Sequence, residues 1–401
     1  MKELISPAKA SEAIDKYLLR FPTIHCPIDE CAGRILRESV YADRSFPPFD
    51  RAMMDGYALR AEDLQTNTLF AVTGRINAGN APQALGQSSH KCIEIMTGAV
   101  VPPDVDCIVP VENVEIANEG KIRINQPDTI HSGDFIHKAG SDREAGAQLL
   151  SPGRVLGSRE ISVAASCGYE GIKVSKLPTI GLVGTGDELV DIGQKPAPHQ
   201  IRRSNALALQ SALTRKHLPT YSSIHLRDDL DETRQKLETA LKENDILLIS
   251  GGISMGKKDF IPQALDALRL ECHFHGVQQQ PGKPFGFWTH DDGAVFTLPG
   301  NPISALVCLH HYALPAIERA MGRANQPKPV SLPLETPAAL HSTRTRFLPV
   351  QILSGNRLRP RPIQNSGDLV RILESDGYIV IPPGNEKQTA DGTEFAFHPW
   401  F

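Results

Sequence analysis

Thr179-Ile180-Gly181-Leu182-Val183-Gly184-Thr185-Gly186-Asp187-Glu188-Leu189 is the stretch on which the reading of the fold turns. Aliphatic residues run to Val183 and then give way to glycines, which reads as a buried strand ending in a turn with accessible backbone amides. The pattern recurs where Asp245–Ser250 meets Gly251-Gly252 and where Val295–Leu298 meets Gly300-Asn301-Pro302. Helical stretches near 204–217, 230–243 and 259–269 alternate with further strands at Thr220–Leu226 and Glu271–Val277. A strand near Phe285–Trp288 follows, and a helix opened by Pro302 runs towards Met321. Repeated βα units predict an α/β domain with a mostly parallel sheet. Ligands of such sheets bind beyond the carboxyl ends of the strands, and the three glycine turns fall there.

At 401 residues the chain exceeds one ordinary core; roughly 100–200 residues per domain predicts several domains. Residues 7–20 place Ala8, Ala10, Ile14, Tyr17 and Leu18 at helical intervals, an amphipathic helix that needs a partner surface. From about 45 to 137 short segments such as Phe70–Thr73 and Ile93–Met96 are broken by Gly, Pro and Asn, the pattern of a small β-rich domain. Residues 138–176 surround a helix-like Ser158–Ala165 with glycines. After the linker Gln326-Pro327-Lys328-Pro329, strands at 347–352, 378–381 and 394–398 predict a terminal β-barrel-like domain.

Charge is nearly balanced, 42 Lys plus Arg against 46 Asp plus Glu, which indicates neither a polyanion-binding surface nor a disordered acidic tail, so no nucleic acid is expected. Seven scattered cysteines without a CxxC pair argue against a disulfide framework and for a reducing cytoplasm. In Cys272-His273-Phe274-His275 only the two histidines could share a strand face, and a non-metal role is favoured. The chain begins Met-Lys-Glu and has no stretch near the ~20 apolar residues of a membrane helix. A soluble, unprocessed, cytoplasmic protein without a membrane partner is expected.

The block Pro47-Pro48-Phe49-Asp50-Arg51-Ala52-Met53-Met54-Asp55-Gly56-Tyr57-Ala58 is a loop stiffened by prolines and carrying carboxylates at Asp50 and Asp55. By itself it fits a ligand-contacting loop or a tight turn before a strand equally well. The block resembles a signature of the molybdopterin molybdenumtransferases, enzymes that insert molybdenum during molybdenum-cofactor synthesis and that include the E domain of gephyrin. The resemblance continues, in the family's order, through Ile95-Met96-Thr97-Gly98-Ala99 and Thr185-Gly186-Asp187-Glu188-Leu189. It then takes in Ser250-Gly251-Gly252-Ile253-Ser254-Met255-Gly256 with Asp259, Pro281-Gly282-Lys283-Pro284 and Leu298-Pro299-Gly300-Asn301-Pro302. It implies four parts: a discontinuous N-terminal dimerisation domain (1–44 and 138–176), the small β-rich domain (45–137), the α/β molybdopterin-binding domain (177–325) and the C-terminal β-domain (326–401).

Glycine turns alone fit two readings, an oxyanion cradle at a helix start or close packing of helix on strand. Asp187, Glu188, Asp228 and Asp259 would gather at the same rim, and clustered carboxylates repel phosphate unless a cation lies between them. Oxygen donors favour Mg²⁺, which bridges one or two carboxylates to phosphate. Asp228 and Asp229 equally fit helix N-terminal capping. The resemblance supplies the substrates, adenylylated molybdopterin and molybdate, giving molybdenum cofactor and AMP. It implies Asp55, Glu188, Asp228 and Asp259 as catalytic residues, with Asp228 and Asp259 on the metal. For the substrate it implies Thr97, Glu112, Asp142, Thr185, Gly186 and Asp187, then Ser250, Gly251, Gly252, Ser254 and Gly256, and finally Pro299, Gly300, Asn301 and Pro302. For molybdate it implies Lys283, Pro284, Arg344 and Ser366.

The chain departs from the family pattern at Arg51-Ala52-Met53, at Arg202-Arg203, at Gly184, at Lys257 and at Gln280, which stands where a lysine usually precedes the turn. One anion-facing lysine is lost and several cations are gained, so the anion site is either rearranged or weakened. The resemblance further implies a homodimer whose active site a neighbouring subunit completes, and contact with the upstream adenylyltransferase and molybdoenzyme maturation proteins. Two other functions stay open: a degenerate paralogue acting as a scaffold, against which the retained carboxylates argue, and adenylyl transfer to the same pterin, against which the extra domains argue.

Overall fold

The structure, a computed structural model, describes residues 4–118, 120–253, 259–324, 328–363, 365 and 367–400. They fall into two compact units, one of Met1–Glu38, Pro152–Ile161 and Gly171–Phe401, the other of Ser39–Ser151 and Ser162–Glu170.

The larger unit is built around a six-stranded sheet. Its strands are β1 (Ile180–Thr185), β2 (Thr220–Leu226), β3 (Ile246–Ser250), β4 (Glu271–His275), β5 (Gly286–His290) and β6 (Gly293–Leu298), in spatial order β2-β1-β3-β6-β5-β4. The pairs β2–β1, β1–β3 and β3–β6 are parallel, while β5 runs antiparallel to both β6 and β4. The sheet is therefore mostly parallel, in an α/β multidomain fold.

Successive side chains of a strand face opposite ways, and here both faces are covered. Ile180, Leu182, Ile246, Leu248 and Phe296 enter one core, whereas Val183, Leu247, Ile249 and Val295 enter the other. Each such buried side chain stabilises the fold by about 1.5–3 kcal/mol. The first core is closed by α1 (Asn205–Arg215) through Leu209, Ala212 and Leu213, the second by α2 (Leu230–Glu243) through Leu237 and Ala240 and by α3 (Ile261–Ala267) through Ile261, Ala264 and Leu265.

The opening helix, Pro7–Tyr17, is capped by Ser6, whose side chain accepts from the Lys9 amide at 3.3 Å. Its buried Ala10 and Ile14 join the first core, and Asp15 pairs with Arg319 at 2.6 Å. The helix from Pro302 is not continuous: Pro302–Cys308 gives way to a π-helical turn, Leu309–Ala313, before Leu314–Ala320. Pro315 has no N–H for the carbonyl four residues back, so the ladder cannot run regularly there.

Strands Val330–Pro333, Thr345–Leu353, Arg357–Pro360, Gly377–Ile381 and Glu394–Pro399 form a second six-stranded sheet, completed by the two-residue strand Gln279–Gln280, which pairs in parallel with Thr345 and Arg346. His273 and His275 have separate partners: His273 Nε2 lies 2.7 Å from Thr289 Oγ1 with its ring stacked on Tyr17, and His275 Nε2 donates to the Ile253 carbonyl at 2.8 Å. All seven cysteines are free thiols. Among the described residues, no helix is long and apolar enough to cross a membrane.

The smaller unit is β-rich. Its main sheet runs, in spatial order, Cys107–Pro110, Gly56–Leu59, Lys91–Ile95, Leu69–Ile76, Lys121–Ile124 and Val114–Asn118.

Candidate active-site cleft

A cleft of about 990 Å³ lies in the larger unit, beyond the carboxyl ends of β1, β3 and β6. The glycine turns meet there because parallel pairing brings the three strands to one edge. Gly251 (φ +97°) and Gly252 (φ +64°) adopt a backbone that side chains resist, and a Cβ on either would stand 2.8 Å from Thr185 Oγ1. Thr185 Oγ1 is buried and has no hydrogen-bond partner among the described residues, a polar atom lining the cleft. A Cβ on Gly300 would lie 3.6 Å from Gly251 Cα, so the turns after β3 and β6 touch.

Asn205, the first residue of α1, ties these turns together. Its Nδ2 donates to Ser250 Oγ and to the Gly300 carbonyl, both at 2.8 Å, and Ser250 Oγ donates on to the Pro299 carbonyl at 3.4 Å.

The two aspartates before α2 divide the roles that the sequence left open. Asp229 caps the helix, accepting from the Glu232 amide at 2.8 Å. Asp228 lines the cleft, with its amide donating to Asp187 Oδ1 at 3.3 Å. Among the described residues four carboxylates (Glu188, Asp191, Asp228, Asp259) and four cations (Arg202, Arg203, Lys283, Arg344) line it. Arg203 is paired with Asp191 and Arg202 with the Ile192 carbonyl. The Lys283 ammonium and Arg344 guanidinium enter no ion pair among the described residues.

Of the residues expected at this site, the cleft gathers Thr185, Gly186, Glu188, Asp228, Ser250, Gly251, Gly252 and Asp259. It also gathers Lys283, Pro284, Pro299, Gly300, Asn301, Pro302 and Arg344. Asp187 stands behind it, on the Asp228 amide. Ser254, Gly256 and Ser366, and the departure at Lys257, lie outside the described residues, although Gly367 lines the cleft.

The remaining four are in the smaller unit. Thr97 donates its amide (2.7 Å) and hydroxyl (2.6 Å) to Asp55 Oδ1, and these two bonds hold the Asp55 carboxyl below the usual carboxylate range. Glu112 is exposed in the turn Val111–Asn113, whose first amide donates to the Asp55 carbonyl at 3.0 Å. Asp142 Oδ1 accepts from His137 Nε2 at 2.9 Å, and His137 Nδ1 accepts from Arg51 Nη2 at 3.1 Å. Asp50 anchors its loop by accepting from Lys138 Nζ and from the Ala139 amide, each at 2.8 Å. Sequence reasoning missed Asn205 and the Asp191–Arg203 pair. An asparagine opening a helix that follows a strand was the available signal for the first; nothing local marked the second.

Fold and site together define a class: a multidomain protein organised around an open α/β sheet, with a polar, mixed-charge cleft at its carboxyl edge. Residues 5–168 match the MoeA N-terminal region (domain I and II), residues 181–319 a probable molybdopterin binding domain, and residues 331–400 the MoeA C-terminal region (domain IV). The chain is 36% identical to a molybdopterin molybdenumtransferase of Synechocystis over 99% of its own length and 100% of that protein's, and 31% identical to that of Haemophilus influenzae over 78% and 76%. A solved molybdopterin biosynthesis MoeA protein from Pyrococcus horikoshii superposes over 100% of both chains with a TM-score of 0.78 at 30% identity. The chain belongs to the molybdopterin molybdenumtransferase family.

Proposed function

We propose that this protein transfers molybdenum from molybdate to adenylylated molybdopterin, forming molybdenum cofactor and releasing AMP, with Mg²⁺ as the helper ion. The observation that carries the reading is the mixed character of one cleft: glycine turns and carboxylates share it with two cations, Lys283 and Arg344, that have no ion-pair partner among the described residues. The turns after β1, β3 and β6 suit a phosphate-bearing substrate, which backbone amides can hold without a fixed charge. An oxyanion leaving water needs charge-assisted donors, and Lys283 and Arg344 supply them.

No three described carboxylate, histidine or cysteine side chains group as a ready-made metal cage. Asp228 and Asp259 nonetheless fit a hard ion that completes its shell with water and substrate phosphate oxygens, as Mg²⁺ does. When bound, Mg²⁺ would neutralise charge developing on the phosphoanhydride as AMP departs. The chain's own contribution is orientation: Asn205 and Ser250 lock the turns, and Asp228 is held by the hydrogen bond its backbone amide donates to the Asp187 carboxylate.

A cytoplasmic homodimer belongs to this reading, supported by the exposed apolar side chains of Tyr17, Leu19 and Ile24 around the opening helix. Contact with the adenylyltransferase that makes the substrate and with molybdoenzyme maturation proteins would follow from the same place in the sequence of reactions. The test combines purified protein, adenylylated molybdopterin, Mg²⁺ and molybdate. Molybdate-dependent AMP release with cofactor formation is expected, and its absence would overturn the proposal.

A further inference from the structure

The turn that carries Lys283 is held from beneath by a buried amide. Gln279 is fully buried, and its backbone pairs in parallel with Thr345, whose amide donates to the Gln278 carbonyl at 3.0 Å. One residue therefore stands four positions before Lys283 and opposite the neighbour of Arg344. Its Nε2 donates to the carbonyls of Pro281 (3.1 Å) and Gly282 (3.4 Å), and its Oε1 accepts from the Tyr312 hydroxyl. The amide has one workable orientation, since reversing it would set its oxygen against two carbonyl oxygens.

Tyr312 is itself buried, sits in the π-helical turn Leu309–Ala313 and stacks on Phe285 with ring centroids 4.7 Å apart. Phe285 closes the turn, its amide donating to the Gly282 carbonyl at 3.1 Å. At Gly282 (φ +94°) a Cβ would stand 2.5 Å from Gln279 Nε2 and 2.7 Å from Cys308 Sγ, so the turn lies directly on this support. Burying a glutamine here is unfavourable unless its hydrogen bonds are made, and an apolar side chain would fill the volume at less cost. What the glutamine supplies is the bonding that fixes the turn.

We propose that Gln279 and Tyr312 are positioning residues for the oxyanion end of the cleft: together they clamp the turn that presents Lys283 and align it with the strand that presents Arg344. The proposal rests on the reading of those two cations as the molybdate site. Rigidity is the functional content, because a dianion released from water is held well only by donors that need no reordering on binding.

The test uses the full-length protein with Tyr312→Phe and, as the second variant, Gln279→Met, which keeps the volume and removes the amide. Hydrogen–deuterium exchange should show the amides of Phe285 and Val277, which donate to the Gly282 and Lys283 carbonyls of the turn, exchanging about ten-fold faster in both, with Gly293–Leu298 unchanged. Equilibrium dialysis with labelled molybdate should show affinity reduced about five-fold or more, the loss expected of one buried hydrogen bond, while binding of adenylylated molybdopterin stays within about two-fold. Unchanged exchange in the turn, or equal losses for both ligands, overturns the clamp. A wild-type protein that binds molybdate yet releases no AMP overturns the proposed function alone and leaves the clamp to be decided by exchange and dialysis.

Discussion

Asn205 and Ser250 are joined by a 2.8 Å hydrogen bond that links the start of α1 to the end of β3, and the same Asn205 amide reaches the Gly300 carbonyl after β6. One side chain thereby sets the spacing of two glycine turns that contribute backbone to the cleft.

Asn205→Ala should consequently lower stability by about 1–2 kcal/mol, the net worth of two such bonds, and weaken adenylylated-pterin binding by roughly ten-fold, one power of ten for each ~1.4 kcal/mol of misplacement. Urea unfolding and direct binding read the two effects separately. Pterin affinity equal to wild type would show that the turns hold their spacing without Asn205.

Asp259→Asn should keep the fold and pterin binding while removing most Mg²⁺-dependent AMP release. The amide preserves shape but gives up the charge by which, in the proposed function, Asp259 would hold Mg²⁺. The measurement is an Mg²⁺ titration of AMP release. Unchanged turnover at limiting Mg²⁺ would take Asp259 out of the reaction.

Most of the sheet was legible because its chemistry is local. Thr220–Leu226 and Leu230–Glu243 form over the very residues read from the sequence, where apolar periodicity and the capping Asp229 agree. The strand Gln279–Gln280 was not legible: it is two residues long and its partner, Thr345–Arg346, lies in a distant part of the chain. The π-helical turn hid for a related reason, since its pattern still reads as one helix from Pro302 to Met321. In the site, motif residues marked the cleft, but which of Asp228 and Asp229 faces it depends on which one caps α2, and both are competent caps. Asn205 carries only the local hint of an asparagine opening a helix, because its partners Ser250 and Gly300 are far along the chain, and for Gln279 no window around it carries the signal.

Two half-buried histidines of the π-helical turn make stability sensitive to acid. Burial, with His398 nearby, pushes His311 down to about 3, and burial, with Lys216, pushes His310 down to about 4. Unfolded, each titrates near ~6.5. As pH falls from about 6.5 towards 4, the unfolded chain binds protons that the native one refuses, so stability drops by up to ~1.4 kcal/mol per pH unit per histidine and levels off only below the native values. His311, which faces Tyr378, Phe347 and His398, offers the test. His311→Gln should flatten the fall in Tm between pH 6.5 and 4 relative to wild type, and parallel curves would mean that the group is not held neutral.

Arg344→Ala should raise the molybdate concentration for half-maximal activity by about ten-fold or more, the consequence of losing one charge-assisted hydrogen bond of roughly 1.5–3 kcal/mol. Pterin affinity should change little, because the backbone amides around Gly251 and Gly300 are left intact. Gln280, an uncharged residue beside the turn, should make this dependence steeper. Lys283→Ala should act in the same direction, and the double variant should lose less than the product of the two single losses if both donors serve one oxyanion. The measurement is a molybdate titration beside direct binding of adenylylated pterin. A molybdate curve indifferent to Arg344, or an equal loss of pterin binding, would move the oxyanion away from this end of the cleft.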